Sequence, residues 1–424
     1  MKKEIQKTKP ESPDEARRAE AEIFLPPPPP SKGIIVGLDC HPDTYTAATF
    51  KGTTVHNAEH LQTLGDMSLE GLLRWAEKTL SRNDLVLMEA GANSFELHRR
   101  LAALGIRSLV LESCHVGKHA KTYADNDAIA AKRIAMVFLG TKAPCVWVPD
   151  EQTCQRRELL HLYNRSVKQD TESTNALKGY LNQYSIRLGK LSIYSERTHD
   201  WIMEQRSWSD LQQNILADHF EQVRAARQRR KQALRHIAQE AANDAKILAL
   251  MGLLGIGLVN AFALVATIGE ISRFACPRKL AAYLGLNPGQ RDSGTGKRIK
   301  TGVGKRGCKT MRYLLIQAAH AVLRSGRHTE LGKWGWRLFA RKGHRNIAVA
   351  AVARKLSAQV WHLLSGNTPD KLESSKTRRQ KLERTMVLIG KAQRAKLNYP
   401  PRLSLCVELL EERISKFKLF PQQT

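Results

Sequence analysis

The sequence predicts an α/β domain, followed by a helical coiled-coil segment and a mainly α-helical C-terminal domain. Three observations support this order. Short apolar runs alternate with helical patterns in residues 33–150, and helically spaced apolar residues with few Gly or Pro fill 151–246. Helical patterns interrupted by Gly then continue through 247–365. A chain of 424 residues is long enough for two or three such domains.

The predicted segmentation follows changes in composition along the chain. Residues 1–32 mix charges and end in Pro26–Pro30, which predicts a disordered arm with a short polyproline linker. The other segments are the α/β domain (33–150), a helical linker or oligomerisation segment (151–246), a C-terminal domain (247–365) and a basic tail (366–424). We expect the tail to be an addition that serves nucleic-acid binding or assembly.

In the α/β domain, β-rich apolar runs end at turn signals such as Lys51-Gly52. The predicted strands are 34–38, 44–50, 55–64, 85–88, 108–111 and 145–148. Predicted helices begin at Ser68, a favourable N-cap, and span 94–104 and 125–138. The alternation of strands and helices predicts an α/β domain.

Beyond residue 150 the pattern is helical. A turn near 206–210 separates two or more long helices, which predicts a helical hairpin or coiled coil. Further helices are predicted at 277–284, 310–323, 347–364 and 403–417. An apolar turn at Gly255–Gly257 links two short helices in the manner of a helix-hairpin-helix. Such a turn can hold a phosphate on backbone amides, and tight helix packing explains its glycines nearly as well.

The charge distribution indicates a nucleic-acid partner. The chain has a net charge of +28, and residues 271–424 contain 33 Lys/Arg against eight Asp/Glu. A segment this basic repels itself unless a polyanion neutralises it, although a generally basic surface is the alternative. The seven cysteines include no Cys-x-x-Cys pair, and the sequence shows neither an export signal nor a membrane span. These features are typical of a protein of the reducing cytoplasm.

Acidic residues lie where predicted strands end. Asp39 and Glu89 each follow an apolar strand, and Asp125 and Asp127 open a predicted helix. If the strands are neighbours, the carboxylates converge and repel one another unless a cation binds them, and oxygen ligands suit Mg²⁺ or Mn²⁺. Ordinary strand-end or N-cap roles are the alternative, most of all for Asp125.

A single serine lies in a Gly/Pro-rich loop within a basic stretch. Pro288, Gly289 and Gly294 exclude a regular helix through Ser293 and favour an exposed turn. The surrounding cations are Arg291, Lys297, Arg298, Lys300, Lys305, Arg306, Lys309 and Arg312. They would bind nucleic-acid phosphates, and Ser293 would meet a phosphate there, although such a serine is more often only a turn residue.

Several motifs in this order resemble those of the DEDD transposases of the insertion-sequence 110/1111 type. They are Ile35-Val36-Gly37-Leu38-Asp39, Met88-Glu89-Ala90, Ala124–Ala128, Gly255-Ile256-Gly257, Arg273-Phe274, Leu280–Pro288, Ser293-Gly294 and Lys305-Arg306-Gly307 with Arg312. The resemblance extends from about residue 33 to 365. The arm and the tail lie outside it.

The resemblance implies a RuvC-like (RNase H fold) N-terminal domain and a C-terminal transposase domain with a nucleophilic serine. Asp39 and Glu89 then occupy the first two acidic positions, and Ser293 occupies the nucleophile position. The family pattern places its last two Asp three residues apart, whereas Asp125 and Asp127 are two apart and Ala124 occupies the expected position. The metal role of Asp125 therefore has the weakest basis.

These features together predict a transposase, a serine recombinase that cuts and rejoins DNA with Mg²⁺ or Mn²⁺ at the acids. The resemblance implies guidance by a noncoding bridge RNA that pairs with donor and target DNA. We expect a homo-oligomer, dimer or tetramer, in the nucleoid-associated cytoplasm of a prokaryote. One alternative is a metal-dependent nuclease or resolvase that uses water as the nucleophile. The other is a non-enzymatic nucleic-acid-binding protein.

Overall fold

The computed structural model describes most of the chain in two compact units, Met1–Asp150 and Glu151–Thr424. The described residues are 27–119, 126–292, 298–304, 307–327, 329–367 and 375–417. For 289–292 and 298–301 only the backbone is described. Within these ranges no helix has both the length and the apolar character needed to cross a membrane.

The first unit is built on a mixed five-stranded sheet. Its strands are β1 (Ile34–Cys40), β2 (Tyr45–Lys51), β3 (Glu59–Met67), β4 (Leu85–Glu89) and β5 (Arg107–Leu111). The spatial order is β3-β2-β1-β4-β5, with β1, β2 and β3 antiparallel and β1, β4 and β5 parallel. The central strand β1 is therefore hydrogen-bonded on both sides.

Among the described residues of this unit, four helices cover the two faces of the sheet. They are α1 (Leu69–Thr79), α2 (Ser94–Ala103), α3 (Ser113–Gly117) and α4 (Asp127–Gly140). Because successive residues of a strand point to opposite faces, Ile35 and Leu87 pack in the core that contains α4, and Val36 and Met88 pack in the core that contains α1 and α2. An α/β domain is confirmed.

Three differences between the structure and the sequence-based expectation have a clear physical cause. β3 begins at Glu59 rather than Val55, because Asn57 accepts hydrogen bonds from the amides of Thr53 and Thr54 and so fixes a turn there. The expected strand at 145–148 is wrong. Only an isolated bridge joins Cys145 to Leu111, in a segment bracketed by Pro144 and Pro149, which cannot donate to a strand ladder.

The third difference is the start of α4, which was expected at residue 125 and lies at Asp127. Asn126 is the N-cap, and its side chain accepts from the amide of Ile129 at 2.9 Å. An asparagine in this position satisfies one of the free amides of the first turn, so the helix begins at the next residue, Asp127.

The second unit opens with a helical hairpin of α5 (Glu151–Gln183), α6 (Glu196–Glu204) and α7 (Asp210–Ala242). Near its open end Arg156 pairs with Asp244, and farther along Asp170 accepts from Arg230 at 2.8 Å, so α5 and α7 are antiparallel. The Ser209 N-cap and Gln212 form a capping box that starts α7 after the expected turn. A small separate core lies at the closed end of the hairpin, around Leu177, Ile202, Trp208, Leu216 and Phe220.

Where the structure describes it, the remainder of the second unit is mainly helical and includes one β-hairpin. Its helices are α8 (Ala245–Leu250), α9 (Leu258–Ile268), α10 (Pro277–Tyr283), α11 (Lys309–Ser325), α12 (Glu330–Lys342), α13 (Arg345–Leu364), α14 (Ser375–Ile389), α15 (Lys391–Lys396) and α16 (Leu403–Phe417). Strands β6 (Pro288–Asp292) and β7 (Arg298–Val303) pair antiparallel. A mainly helical C-terminal region is confirmed.

The segment after residue 366 contributes to the main core of this unit. Leu382 and Met386 of α14 and Leu410 of α16 are buried in the same cluster as Phe262 and Leu315. The described part of this segment is therefore structural, whereas the sequence suggested an appended basic tail.

Candidate functional site

Two of the predicted acids lie side by side at the carboxyl ends of parallel strands. Leu38 of β1 pairs with Met88 of β4, so Asp39 and Glu89 are the next residues along the two strands. Alternation along the strands places both side chains on the sheet face that α4 covers.

A third acid, Asp127, reaches the same sheet edge because α4 packs directly on β1. A Cβ atom at Gly37 would overlap the carbonyl oxygen of Ala131, so only glycine allows the helix to lie this close. Asp39 lies two residues after Gly37 on the same strand face, and Asp127 lies one helical turn before Ala131. The two carboxylates therefore meet at the end of β1.

A histidine lies between these two carboxylates. The Nε2 atom of His41 is 3.3 Å from Oδ2 of Asp39 and 3.4 Å from Oδ1 of Asp127. Asp39, His41 and Asp127 each offer one ligand atom, and these three atoms lie within 4.8 Å of one another. Glu89 is not a member of this group.

The turn that carries His41 is held in place from the neighbouring segment. The amide of His41 donates to the carbonyl of Thr44 at 3.0 Å, which closes the turn between β1 and β2. Asn93 donates through Nδ2 to the His41 carbonyl at 2.9 Å and to the Tyr45 hydroxyl at 3.0 Å. These bonds fix the backbone from which the imidazole projects.

Burial raises the pKa of Asp39, because the carboxylate loses water. The charge of His41 lowers this pKa, and the nearby charge of Asp127 raises it again. The side chain of Asp39 is only 20% exposed, compared with 48% for Asp127 and 52% for His41. Of the two carboxylates beside His41, Asp39 is the more buried and therefore gains more from a cation.

Burial also raises the pKa of Glu89, and the charge of Asp39 adds to this rise. The Ser113 hydroxyl and the Arg133 side chain oppose it. The Ser113 hydroxyl also donates to the carbonyl of Ala90 at 2.6 Å. Glu89 therefore lies near the Asp39 carboxylate, but it is not part of the group of ligand atoms formed by Asp39, His41 and Asp127.

The donor set fits a divalent metal ion. Asp39 and Asp127 offer carboxylate oxygens and His41 offers an imidazole nitrogen, and the mixture suits Mn²⁺ at least as well as Mg²⁺. Asp125, the remaining predicted acid, lies outside the described residues. Sequence reasoning missed His41, although its position two residues after Asp39, at the same strand end, was a usable signal.

The predicted serine loop lies between the paired strands β6 and β7. Ser293 and Lys297 fall in this connection, and Lys305 and Arg306 follow β7; all four lie outside the described residues. Backbone pairing places Arg291 opposite Ile299 and Asp292 opposite Arg298. Lys300 pairs with Gln290 in the same ladder. Three predicted cationic residues therefore lie on the two strands that flank the serine loop.

The last two predicted cations lie on α11. Lys309 is exposed at its first position. Arg312 donates through Nε to the carbonyl of Gly285 at 2.7 Å, which ties the helix to the turn that precedes β6. Arg312 therefore has a structural contact in addition to any role toward a phosphate.

At the Gly255–Gly257 turn the structure shows why packing needs the first glycine. Gly255 has φ of +80°, and a Cβ atom there would lie 2.6 Å from the Ala318 carbonyl oxygen of α11. Gly257 is the N-cap of α9, and a Cβ atom there would meet nothing within 4 Å. Close helix packing thus accounts for Gly255, but not for Gly257.

Comparisons with known proteins give a consistent set of similarities. Residues 248–331 match a family model described as the IS116/IS110/IS902 transposase family. The chain is 28% identical over 294 residues to the transposase for insertion sequence element IS1111A of Coxiella burnetii, covering 66% of this chain and 77% of that protein. It is 27% identical over 295 residues to a probable family 20 transposase of Pseudomonas aeruginosa (67% and 85% covered). It is 24% identical over 296 residues to the transposase for element IS1328 of Yersinia enterocolitica (67% and 84% covered).

Proposed function

Because the chain belongs to the IS110/IS1111 family of transposases, we propose that it cuts and rejoins DNA through a phosphoserine intermediate at Ser293. The observation that carries the metal-assisted part of this proposal is the convergence of Asp39, His41 and Asp127 at one sheet edge. We also propose a RuvC-like (RNase H fold) identity for the first unit. Its mixed sheet, with acids at the ends of two adjacent parallel strands, supports that identity.

In the proposed reaction the Ser293 hydroxyl attacks a DNA phosphorus. A serine–phosphate ester forms as the bond from phosphorus to the leaving-strand oxygen breaks; the serine gives up a proton and the leaving oxygen takes one up. Rejoining is the reverse, with a DNA hydroxyl as the attacking group. One ester replaces another in each step, so the bond energy is kept for strand transfer.

Asp39, His41 and Asp127 would hold Mg²⁺ or Mn²⁺, with Glu89 beside them and Asp125 as a further proposed ligand. A divalent ion held there would supply positive charge that offsets the negative charge of a phosphoryl transfer. The proposed contribution of Arg291, Lys305, Arg306 and Arg312 is to offset the charge of the phosphate, and that of Lys297, Arg298, Lys300 and Lys309 is to bind the DNA backbone.

The proposal extends to partners. Donor and target DNA are the substrates, a noncoding bridge RNA selects them by base pairing, and a homo-oligomer (dimer or tetramer) performs the exchange. The family resemblance supports the RNA, and the excess of cations after residue 270 suits either nucleic acid. Association with the nucleoid follows from the DNA substrate.

A denaturing gel tests the serine. The full-length protein is incubated with Mg²⁺ or Mn²⁺, the flanking transcript and a labelled DNA junction, and covalent protein–DNA adducts are counted. We expect Ser293→Ala to abolish the adduct, and Thr295→Ala, which removes a hydroxyl two residues away, to retain it. Asp39→Asn should reduce the adduct with Ser293 intact.

A metal-dependent nuclease is the second candidate, because the group at Asp39 could also activate water. Cleavage that proceeds without an adduct and is unchanged by Ser293→Ala would favour it and overturn the serine mechanism. Binding of DNA with no cleavage in any metal would favour a non-enzymatic protein.

A further inference from the structure

The solvent side of α11 presents an aromatic ring among cationic and polar residues. Tyr313 is 62% exposed, the most exposed aromatic side chain in the part of the chain that the structure describes. Residues at three- and four-residue spacing continue the same helix face, which comprises Lys309, Tyr313, Gln317, His320 and Arg324. We refer to these five residues as the Tyr313 face. The opposite side of α11, including Met311, Leu315 and Val322, is buried in the core.

The stretch of sequence that contains this face carries charge of one sign. The sequence contains no Asp or Glu between Asp292 and Glu330, and it contains nine Lys/Arg in that interval. With no carboxylate nearby in the chain to neutralise them, Lys309 and Arg324 favour a polyanion as the partner. The axial distance between these two residues is about 22 Å at 1.5 Å per residue, which spans several phosphates of a strand.

The Tyr313 face is held rigidly at its N-terminal end. Arg312 donates to the Gly285 carbonyl at 2.7 Å, and the amide of Cys308 donates to the Tyr283 carbonyl at 3.1 Å. Gly307, with φ of +82°, lies so close to Gly285 that a Cβ atom would be 2.6 Å from the Gly285 Cα. These contacts fix the first two turns of α11, and therefore Tyr313, relative to the Tyr283–Gly285 turn.

We propose that Tyr313 stacks on an unpaired base of the DNA strand, while Lys309 and Arg324 contact its phosphates. This proposal rests on the proposed function, because strand cutting and exchange expose unpaired bases. An exposed ring can stack only on a base whose own face is free, and duplex bases present only their edges in the grooves. Gln317 and His320 add hydrogen-bonding groups beside the ring.

The test is binding of the full-length protein to a fluorescent single-stranded DNA in EDTA, where no metal-assisted chemistry contributes. Base stacking on an aromatic ring is lost on alanine substitution, so we expect Tyr313→Ala to weaken binding about 5-fold to 150-fold. Tyr313→Phe keeps the ring and should bind as the unchanged protein does. Leu211→Ala, which removes a 69% exposed side chain from α7, is the matched control and should have no effect.

Salt dependence separates stacking from charge. Lys309→Gln should reduce the slope of log affinity against log salt by about 0.7, because one phosphate contact is lost, whereas Tyr313→Ala should leave the slope unchanged. Thermal melting shows whether each variant is folded. A folded Tyr313→Ala protein that binds normally would overturn the proposal, as would an equal loss in Tyr313→Phe or an equal loss on duplex DNA. A loss seen only with an RNA of the same sequence would overturn DNA as the partner. If the Tyr313 variants bind DNA as expected but no covalent adduct forms at Ser293, the result would count against the serine mechanism and not against this proposal.

Discussion

Gly37 of β1 and Ala131 of α4 lie so close that no side chain fits between them. A Cβ atom at Gly37 would overlap the Ala131 carbonyl oxygen and would lie 3.0 Å from the Ala135 amide nitrogen. The obstacle is helix backbone, which cannot rotate away as a flexible side chain could. The position of α4, and therefore of Asp127, depends on this glycine.

We expect Gly37→Ala to destabilise the first unit by about 1–3 kcal/mol or more, because an added methyl in a packed interface forces the backbone apart. The displaced helix should also carry Asp127 away from His41, so metal-dependent activity should fall further than stability alone explains. Thermal melting and activity assays check the two effects. Gly117→Ala, where a Cβ atom would meet nothing within 4 Å, is the control. Normal activity in a folded Gly37→Ala protein would contradict this account.

His41 should contribute directly to metal binding. Its Nε2 lies within 3.4 Å of both carboxylates, close to the separation of two ligands on one ion. We expect His41→Ala to weaken Mn²⁺ binding by at least about 10-fold to 100-fold, because this is the loss seen when outer-shell partners of metal ligands are removed and a direct ligand contributes more. Isothermal titration or electron paramagnetic resonance measures it. His56→Ala removes an exposed histidine of the same unit and should change nothing. Unchanged Mn²⁺ affinity in His41→Ala would mean that the histidine only pairs with the carboxylates.

The strands that carry Asp39 and Glu89 could be predicted because both are short apolar runs ending in an acid. The end of α4 beside them could not be fixed in the same way. From the sequence, either Asp125 or Asp127 could lie in the first turn of this helix. The Asn126 side chain accepts a hydrogen bond from the Ile129 amide, which makes Asn126 the N-cap and Asp127 the first helical residue. His41 was missed because its position two residues after Asp39 was the one sequence signal, and that signal gains meaning only from the Gly37–Ala131 contact that brings Asp127 to the same strand end.

The C-terminal helices show a different limit of prediction from sequence. Residues 403–417 have clean apolar spacing, and α16 has the expected bounds. In α14 the apolar Leu382, Met386 and Ile389 also have helical spacing, but five Lys/Arg lie among the first ten residues and suggested a solvent-exposed segment. Sequence patterns could not show that one of these cations, Lys381, points inward to backbone carbonyls.

The metal-free site should reduce stability at neutral pH. Burial raises the pKa of Asp39 above its usual value of 3.8, so the folded state binds protons more tightly than the unfolded state. The free energy of unfolding therefore falls as pH rises from about 3.8 through the raised pKa. We expect Asp39→Asn to raise the melting temperature in EDTA near pH 7, and this gain should vanish at about pH 3.

Asp43→Asn is the control for that comparison, because it removes an exposed carboxylate from the adjacent turn. Added Mn²⁺ should stabilise the unchanged protein more than Asp39→Asn, since binding to the folded state adds to its stability. A lower melting temperature for Asp39→Asn in EDTA at pH 7 would show that the ionised carboxylate stabilises the fold instead.

Lys381 of α14 should stabilise the turn before α9. Its Nζ donates to the carbonyls of Met251 and Ile256 at 2.9 Å and of Leu253 at 3.2 Å. Lys381→Met keeps most of the side-chain volume but leaves these acceptors without their donor, which costs about 1–3 kcal/mol for a buried group. We expect a lower melting temperature and faster hydrogen exchange in residues 251–257, while Lys391→Met, at an exposed position of α15, should show neither.

Because Gly255 and Gly257 lie in this turn, Lys381→Met should also weaken DNA binding if their backbone amides contact phosphate. Loss of stability with unchanged binding would leave Gly255 as a packing residue and exclude a phosphate contact at the turn.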